Sequence, residues 1–402
     1  MEAGHTPPGP LLRRGPRPLL LHLTLAMLKS TASLVVSPSS SADWPISNAA
    51  KAEAAAIAAA LGPHASRLPM AVLLENLRQD RALIAGIAAY RRHPWRRELA
   101  DPPAIWCEGG SRMLDFGGSG PTVLFVPSLV NRGYVLDLAA GRSMLRWLAG
   151  QGVRPLLLEW GWPGELEREF TLTDSIAGRL ERALEATGER LVLAGYCMGG
   201  LLTVAAAQRR PERVAALALL ATPWDFHADD PCRAATLARA LPLLEPALRF
   251  GGTLPVDLLQ VLFALLDPYG IAAKYRAFAR LDPDSDMARR FVALEDWLND
   301  GIPLAAPVAR ECLAGWYGAN APARGRWRVA GQAPDPAALR LPAFVAVPSR
   351  DRIVPPESAR PLAHAIPGAR LHVPHAGHIG MVAGGNAEAA LWRPLRDWVL
   401  DL

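Results

Sequence analysis

The stretch Leu191-Val-Leu-Ala-Gly195-Tyr196-Cys197-Met198-Gly199-Gly200 decides the fold. Leu191–Ala194 is uncharged and apolar, as expected for a strand covered on both faces. Leu201–Gln208 continues as a helix with no spacer between the two. A strand that enters a helix this directly must turn sharply. The positions two before and two after the turning residue then have no room for a side chain, and Gly195 and Gly199 meet that demand. Gly200 lets the helix lie close to the strand. Cys197 is left at the helix N-terminus, where free amides and the helix dipole favour a thiolate. The competing reading is a buried structural cysteine in a glycine turn. It leaves the agreement of strand, glycines and helix unexplained, so Cys197 is the expected nucleophile.

Working outward, the same rhythm recurs. Thr122–Val126, Leu156–Glu159, Val214–Leu220, Ala343–Val347 and Arg370–Val373 read as short apolar strands. Helical stretches separate them: Arg142–Leu148, Asp174–Thr187 with Ile176, Leu180, Ala183 and Leu184 on one face, and a final helix over Glu388–Leu400. Ala104–Glu108 and Met113–Phe116 flank Gly-Gly and predict a hairpin. This alternation predicts an α/β class: a mostly parallel central sheet with helices on both faces. It breaks once, over residues 225–341, in an insert with apolar helical runs such as Leu254–Leu266. At that position the insert is expected to be a helical lid over the carboxyl ends of the strands.

An acid and a base are expected to follow the nucleophile, each just past a strand end. Pro348-Ser-Arg-Asp351-Arg-Ile-Val-Pro355 follows Ala343–Val347 and supplies Asp351. Pro374-His-Ala-Gly-His378-Ile-Gly380 follows Arg370–Val373 and supplies His378 as general base. Two alternatives stand beside these: Asp351 paired only with Arg350 or Arg352, and His375 as the base. His378 is preferred because a glycine precedes it and an apolar residue follows it. His227 and His364 read as surface or packing residues. The oxyanion hole is expected from the Met198 amide and an amide of the loop Pro127-Ser-Leu-Val-Asn131, Val130 before Leu129.

At the N-terminal end, residues 1–45 read as a disordered segment, and 46–100 as a helical appendage built from Ala49–Leu61 and Met70–Tyr90. Residues 101–402 form the main domain. Arg13, Arg14 and Arg17 before the apolar run Leu19–Leu28 resemble a secretory signal. His22 and Lys29 count against it, and Met27 is an alternative start. Whether residues 1–45 belong to the mature chain stays open.

Composition excludes several classes. The formal charge of +5 comes from arginines scattered singly or in pairs, which argues against a nucleic-acid partner. The four cysteines form no Cys-x-x-Cys pair, so neither a zinc site nor a disulfide framework is expected. A reducing, cytoplasmic setting suits them. No ligand cluster suggests a metal, and no uncharged apolar run is long enough to predict a transmembrane segment.

Further motifs carry a family resemblance. Val123-Leu-Phe-Val-Pro-Ser-Leu-Val-Asn-Arg-Gly-Tyr-Val-Leu-Asp-Leu138, Glu159-Trp-Gly-Trp-Pro163, Thr171-Leu-Thr-Asp174, Gly195-Tyr-Cys-Met-Gly-Gly200, Ala221-Thr-Pro-Trp-Asp-Phe226 and Gly377-His-Ile379 resemble segments of the polyhydroxyalkanoate synthases. The short class III type is the most similar. Glu159 stands where those synthases carry Asp, and Arg352 where they usually carry His. The resemblance implies the α/β-hydrolase fold, a Cys197–His378–Asp351 triad, and polymerisation of 3-hydroxyacyl-CoA with release of CoA. It further implies a CoA thioester as substrate with no bound cofactor, a polyester product, and a cytoplasmic, granule-associated location. A partner subunit or a homodimer stays open. An intracellular polyester depolymerase or a thioesterase-type hydrolase with the same triad is the alternative. A non-catalytic scaffold is disfavoured because all three triad residues are present.

Overall fold

The computed structural model describes residues 13–35 and 47–402. Its centre is an eight-stranded sheet. In chain order the strands are β1 Ala104–Glu108, β2 Ser111–Asp115, β3 Thr122–Val126, β4 Arg154–Glu159, β5 Leu191–Tyr196, β6 Val214–Leu220, β7 Ala343–Ala346 and β8 Arg370–His372. Across the sheet they run β1-β2-β4-β3-β5-β6-β7-β8. The β1–β2 and β2–β4 pairs are antiparallel and all the others are parallel. The hairpin expected from the Gly-Gly turn is therefore the antiparallel edge of a parallel sheet. β3 and β5 are buried at every position, which is why they read as unbroken apolar runs rather than alternating ones.

Register fixes where the site lies. Val126 pairs with Gly195, Gly195 with Leu219, and Leu220 with Ala346. The carboxyl ends of β3, β5, β6 and β7 are thus level. Past that edge the ladder continues for one step, with Cys197 N donating to Leu220 O at 2.8 Å and Ala221 N to Ala346 O at 2.9 Å. The loops that carry the expected site residues all leave from this one edge.

The chain divides into two compact units. The larger comprises Arg96–Leu266 and Asp296–Leu402 and holds the whole sheet. The smaller joins the described part of Met1–Trp95 with Asp267–Glu295. Its core is aromatic: Tyr90 meets Tyr275 edge-on at 5.7 Å, and Phe278 stacks on Phe291 at 4.2 Å. Two sequence expectations change here. Leu19–Val35 is a helix, not a disordered segment, because Ala26, Leu19 and Leu23 have a core to pack against. Residues 1–12 and 36–46, which hold the rest of that expected segment, lie outside the described residues. Asp267–Glu295, expected as lid, belongs to the compact unit of the N-terminal helices. Among the described residues no single helix is long and apolar enough to cross a membrane.

Candidate active site

Cys197 sits between β5 and the helix Met198–Arg209 with φ 57° and ψ −127°. A positive φ is costly for a residue with a Cβ, and such strain persists only where the surroundings enforce it. Here they do. A Cβ on Gly195 would stand 2.4 Å from Gly200 Cα, and one on Gly199 would stand 2.0 Å from Val126 O. One on Gly200 would stand 1.9 Å from Thr222 Oγ1. The three glycines let strand and helix close on Cys197, as their spacing predicts.

The structure brings His378 and Asp351 to this turn. His378 Nδ1 and Asp351 Oδ2 are 2.7 Å apart. Asp351 Oδ1 accepts the amides of Ile353 and Val354, both at 2.9 Å. The imidazole is near enough to Cys197 for the two side chains to interact electrostatically. Tyr196 lies against the His378 ring, with centroids 5.1 Å apart, and its hydroxyl donates to His378 O at 3.2 Å. Burial works against the charged form of His378. The negative charges of Cys197 and Asp351 outweigh it, and the imidazole is pushed up to about 10. His375 is exposed, and its Nδ1 meets Ser349 Oγ at 3.2 Å. Arg352 is exposed.

Met198 opens the helix, so its amide is among those without an intrahelical acceptor. Val130 and Met198 both line the cavity at Cys197, whereas Leu129 lines a separate, smaller one. The Val130 amide donates to Ser128 Oγ at 3.3 Å, a long bond. Sequence reasoning did not identify Ser128. The loop that carries Val130 is tied down on several sides. Trp160 Nε1 donates to Pro127 O at 3.0 Å, and Ile302 N to Val130 O at 3.2 Å. Buried Glu159 accepts the Gly133 amide at 2.6 Å and pairs with Arg132 at 2.9 Å.

The cavity measures about 170 Å³ and is mainly apolar. Leu259, Phe263, Leu313, Trp316 and Ile353 are among its walls. Part of one wall is a wide, π-helical turn over Glu311–Gly318, which puts Cys312, Leu313, Trp316 and Tyr317 on the same side. The 3.6-residue periodicity used to read helices from sequence has no signal for such a turn. Among the described residues no group of three or more His, Cys, Asp or Glu has the arrangement of a metal site.

Comparison with known proteins bears on the fold and the family. A family model described as "alpha/beta hydrolase fold" matches residues 167–384, more than half of the chain. The poly(3-hydroxyalkanoate) polymerase subunit of Haloferax mediterranei is 31% identical over 313 residues, covering 74% of this chain and 63% of that protein. Its counterpart in Haloarcula marismortui is 27% identical, covering 69% of this chain and 60% of the relative. That of Allochromatium vinosum is 28% identical, covering 69% and 80%. The chain thus spans about three-fifths of the length of the two haloarchaeal relatives. The resemblance drawn from the motifs is shared by several relatives along most of this chain.

Proposed function

The chain belongs to the alpha/beta hydrolase fold family, and from that premise we propose that it is a cysteine acyltransferase that polymerises 3-hydroxyacyl-CoA into polyhydroxyalkanoate. The observation that carries the reading is the Cys197–His378–Asp351 arrangement opening into a mainly apolar cavity. Similarity to polymerase subunits supports the choice of acyl donor.

The chemistry follows from the parts. The Cys197 sulfur attacks the thioester carbonyl carbon, with the oxyanion held by the Met198 and Val130 amides. The carbon–sulfur bond to CoA breaks, and the departing thiolate takes the proton that His378 carries. One thioester replaces another, so the acyl group stays activated. The hydroxyl oxygen of a second hydroxyacyl unit then attacks the acyl-Cys197 carbonyl. An ester bond forms, the bond to sulfur breaks, and His378 receives the hydroxyl proton. Asp351 holds the tautomer and stabilises the imidazolium throughout. Apolar walls keep water from intercepting the acyl-enzyme. CoA takes part as substrate and no bound cofactor is needed. A cytoplasmic location at the polyester granule belongs to the same reading.

The test is CoA release from 3-hydroxybutyryl-CoA with the product analysed, for the wild type and Cys197→Ala. CoA release with polyester, lost in the variant, supports the proposal. Free hydroxy acid alone makes the protein a thioesterase-type hydrolase. Activity that survives Cys197→Ala overturns the assigned nucleophile.

A further inference from the structure

Asp351 cannot touch a substrate. Its Oδ2 holds His378, its Oδ1 holds two amides, and its side chain has 0% exposure. The other carboxylates around the cavity differ from Asp225 in being exposed, while Asp225 is half-buried. Ser128 Oγ takes the Val130 amide, exposed Asp229 pairs with Arg233, and exposed Asp230 caps the helix Pro231–Arg239.

Asp225 is different. It lines the cavity together with Cys197. Its amide is anchored on Ser358 O at 3.0 Å. Its Oδ1 accepts Asn320 Nδ2 at 2.8 Å and the His227 amide at 3.0 Å. Asn320 is itself buried with φ 50°, and its Oδ1 accepts the Phe226 amide at 3.0 Å. The carboxylate is therefore held from both sides through one oxygen. Oδ2 has no bond among the described residues. An oriented carboxylate oxygen beside apolar walls is an acceptor waiting for a donor.

We propose that Asp225 selects hydroxylated acyl groups, its Oδ2 accepting a hydrogen bond from the hydroxyl of a 3-hydroxyacyl thioester bound at Cys197. This rests on the acyl-CoA reading above. A plain acyl chain brings no donor and leaves the carboxylate partly desolvated and unpaired, so the site rejects it.

The experiment measures kcat/KM for CoA release from 3-hydroxybutyryl-CoA and butyryl-CoA by the full chain and by Asp225→Asn. Asparagine is isosteric and keeps an acceptor for Asn320 and His227, but turns the free acceptor into a donor. The wild type is expected to prefer the hydroxylated substrate, and the ratio of the two constants to fall about 10- to 100-fold in the variant, the size of a charge-assisted hydrogen bond. Residual release from butyryl-CoA reports that the variant is folded. An equal loss on both substrates means a structural role and overturns the proposal, as does an unchanged ratio. No release by the wild type from either thioester overturns the acyl-CoA reading itself.

Discussion

Asp351 Oδ2 stands 2.7 Å from His378 Nδ1 while two backbone amides bind the other carboxylate oxygen. The pairing has one geometry open to it, since the carboxylate cannot rotate without losing both amides. Asp351→Asn keeps the shape but offers an N–H to the imidazole and so favours the wrong tautomer. The expected loss in CoA release is on the order of 10⁴-fold, as for the equivalent change in a serine protease triad. A loss below tenfold would mean that Asp351 does not orient the base.

The His378 proton sets the pH behaviour. With its value raised from 6.5 to about 10, the imidazole stays protonated through neutrality. Acyl transfer that needs the imidazolium holds across that range and falls as pH rises through about 10. The sign for stability is the same: the contribution is complete below pH 6.5 and is lost as pH rises through about 10. Asp351→Asn removes one of the two negative charges that hold the proton, so the alkaline limb moves to lower pH. The imidazole NMR signal followed across pH checks this, and an unmoved midpoint contradicts it.

Val130 is assigned through its backbone, so a side-chain substitution does not test it. An amide-to-ester replacement at Val130 deletes the N–H alone. Loss of one oxyanion donor is expected to lower kcat by roughly 10²- to 10³-fold with little change in KM. A change confined to KM would place the amide in substrate binding instead.

Gly199→Ala pushes a methyl carbon to 2.0 Å from the Val126 carbonyl oxygen, which is backbone and cannot step aside. The expected cost is at least 1–3 kcal/mol, the usual range for overpacking. It is read as a lower urea midpoint with an unchanged slope. A neutral result would mean that the turn has room that its contacts do not show.

Glu159→Gln keeps an acceptor for the Gly133 amide but leaves Arg132 without its nearest carboxylate. Breaking a buried pair typically costs about 3–5 kcal/mol. The discount here is large, because Arg132 is 24% exposed and Asp300 lies 3.7 Å from it. A stability loss of about 1–2 kcal/mol with a lower kcat is expected, since the same loop carries Val130. Stability lost at full kcat would separate Glu159 from the oxyanion loop.

What was legible in the sequence is what local sterics and strand ends dictate. Gly195, Gly199 and Gly200 announce a turn whose contacts are all within reach of the turn. Asp351 and His378 announce themselves by following apolar strands. Other features depend on partners far along the chain. Asn320 reaches Asp225 across 95 residues, and nothing at either position signals it. Asp267–Glu295 joins the unit of the N-terminal helices through aromatic packing that an apolar pattern cannot assign to a partner. The helix Leu19–Val35 carries no acidic residue in its first turn and no basic one in its last, so its ends give no signal.

The positive φ at Cys197 is enforced by glycines, a carbonyl oxygen and a threonine, none of which touches sulfur chemistry. The scaffold is therefore indifferent to which nucleophilic atom it presents. Exchanging sulfur for oxygen at this position leaves the turn as it is but removes the charge of Cys197 that helps hold the proton on His378. The turn itself is therefore a geometric device, and the choice between thiol and alcohol chemistry rests on the side chains around it.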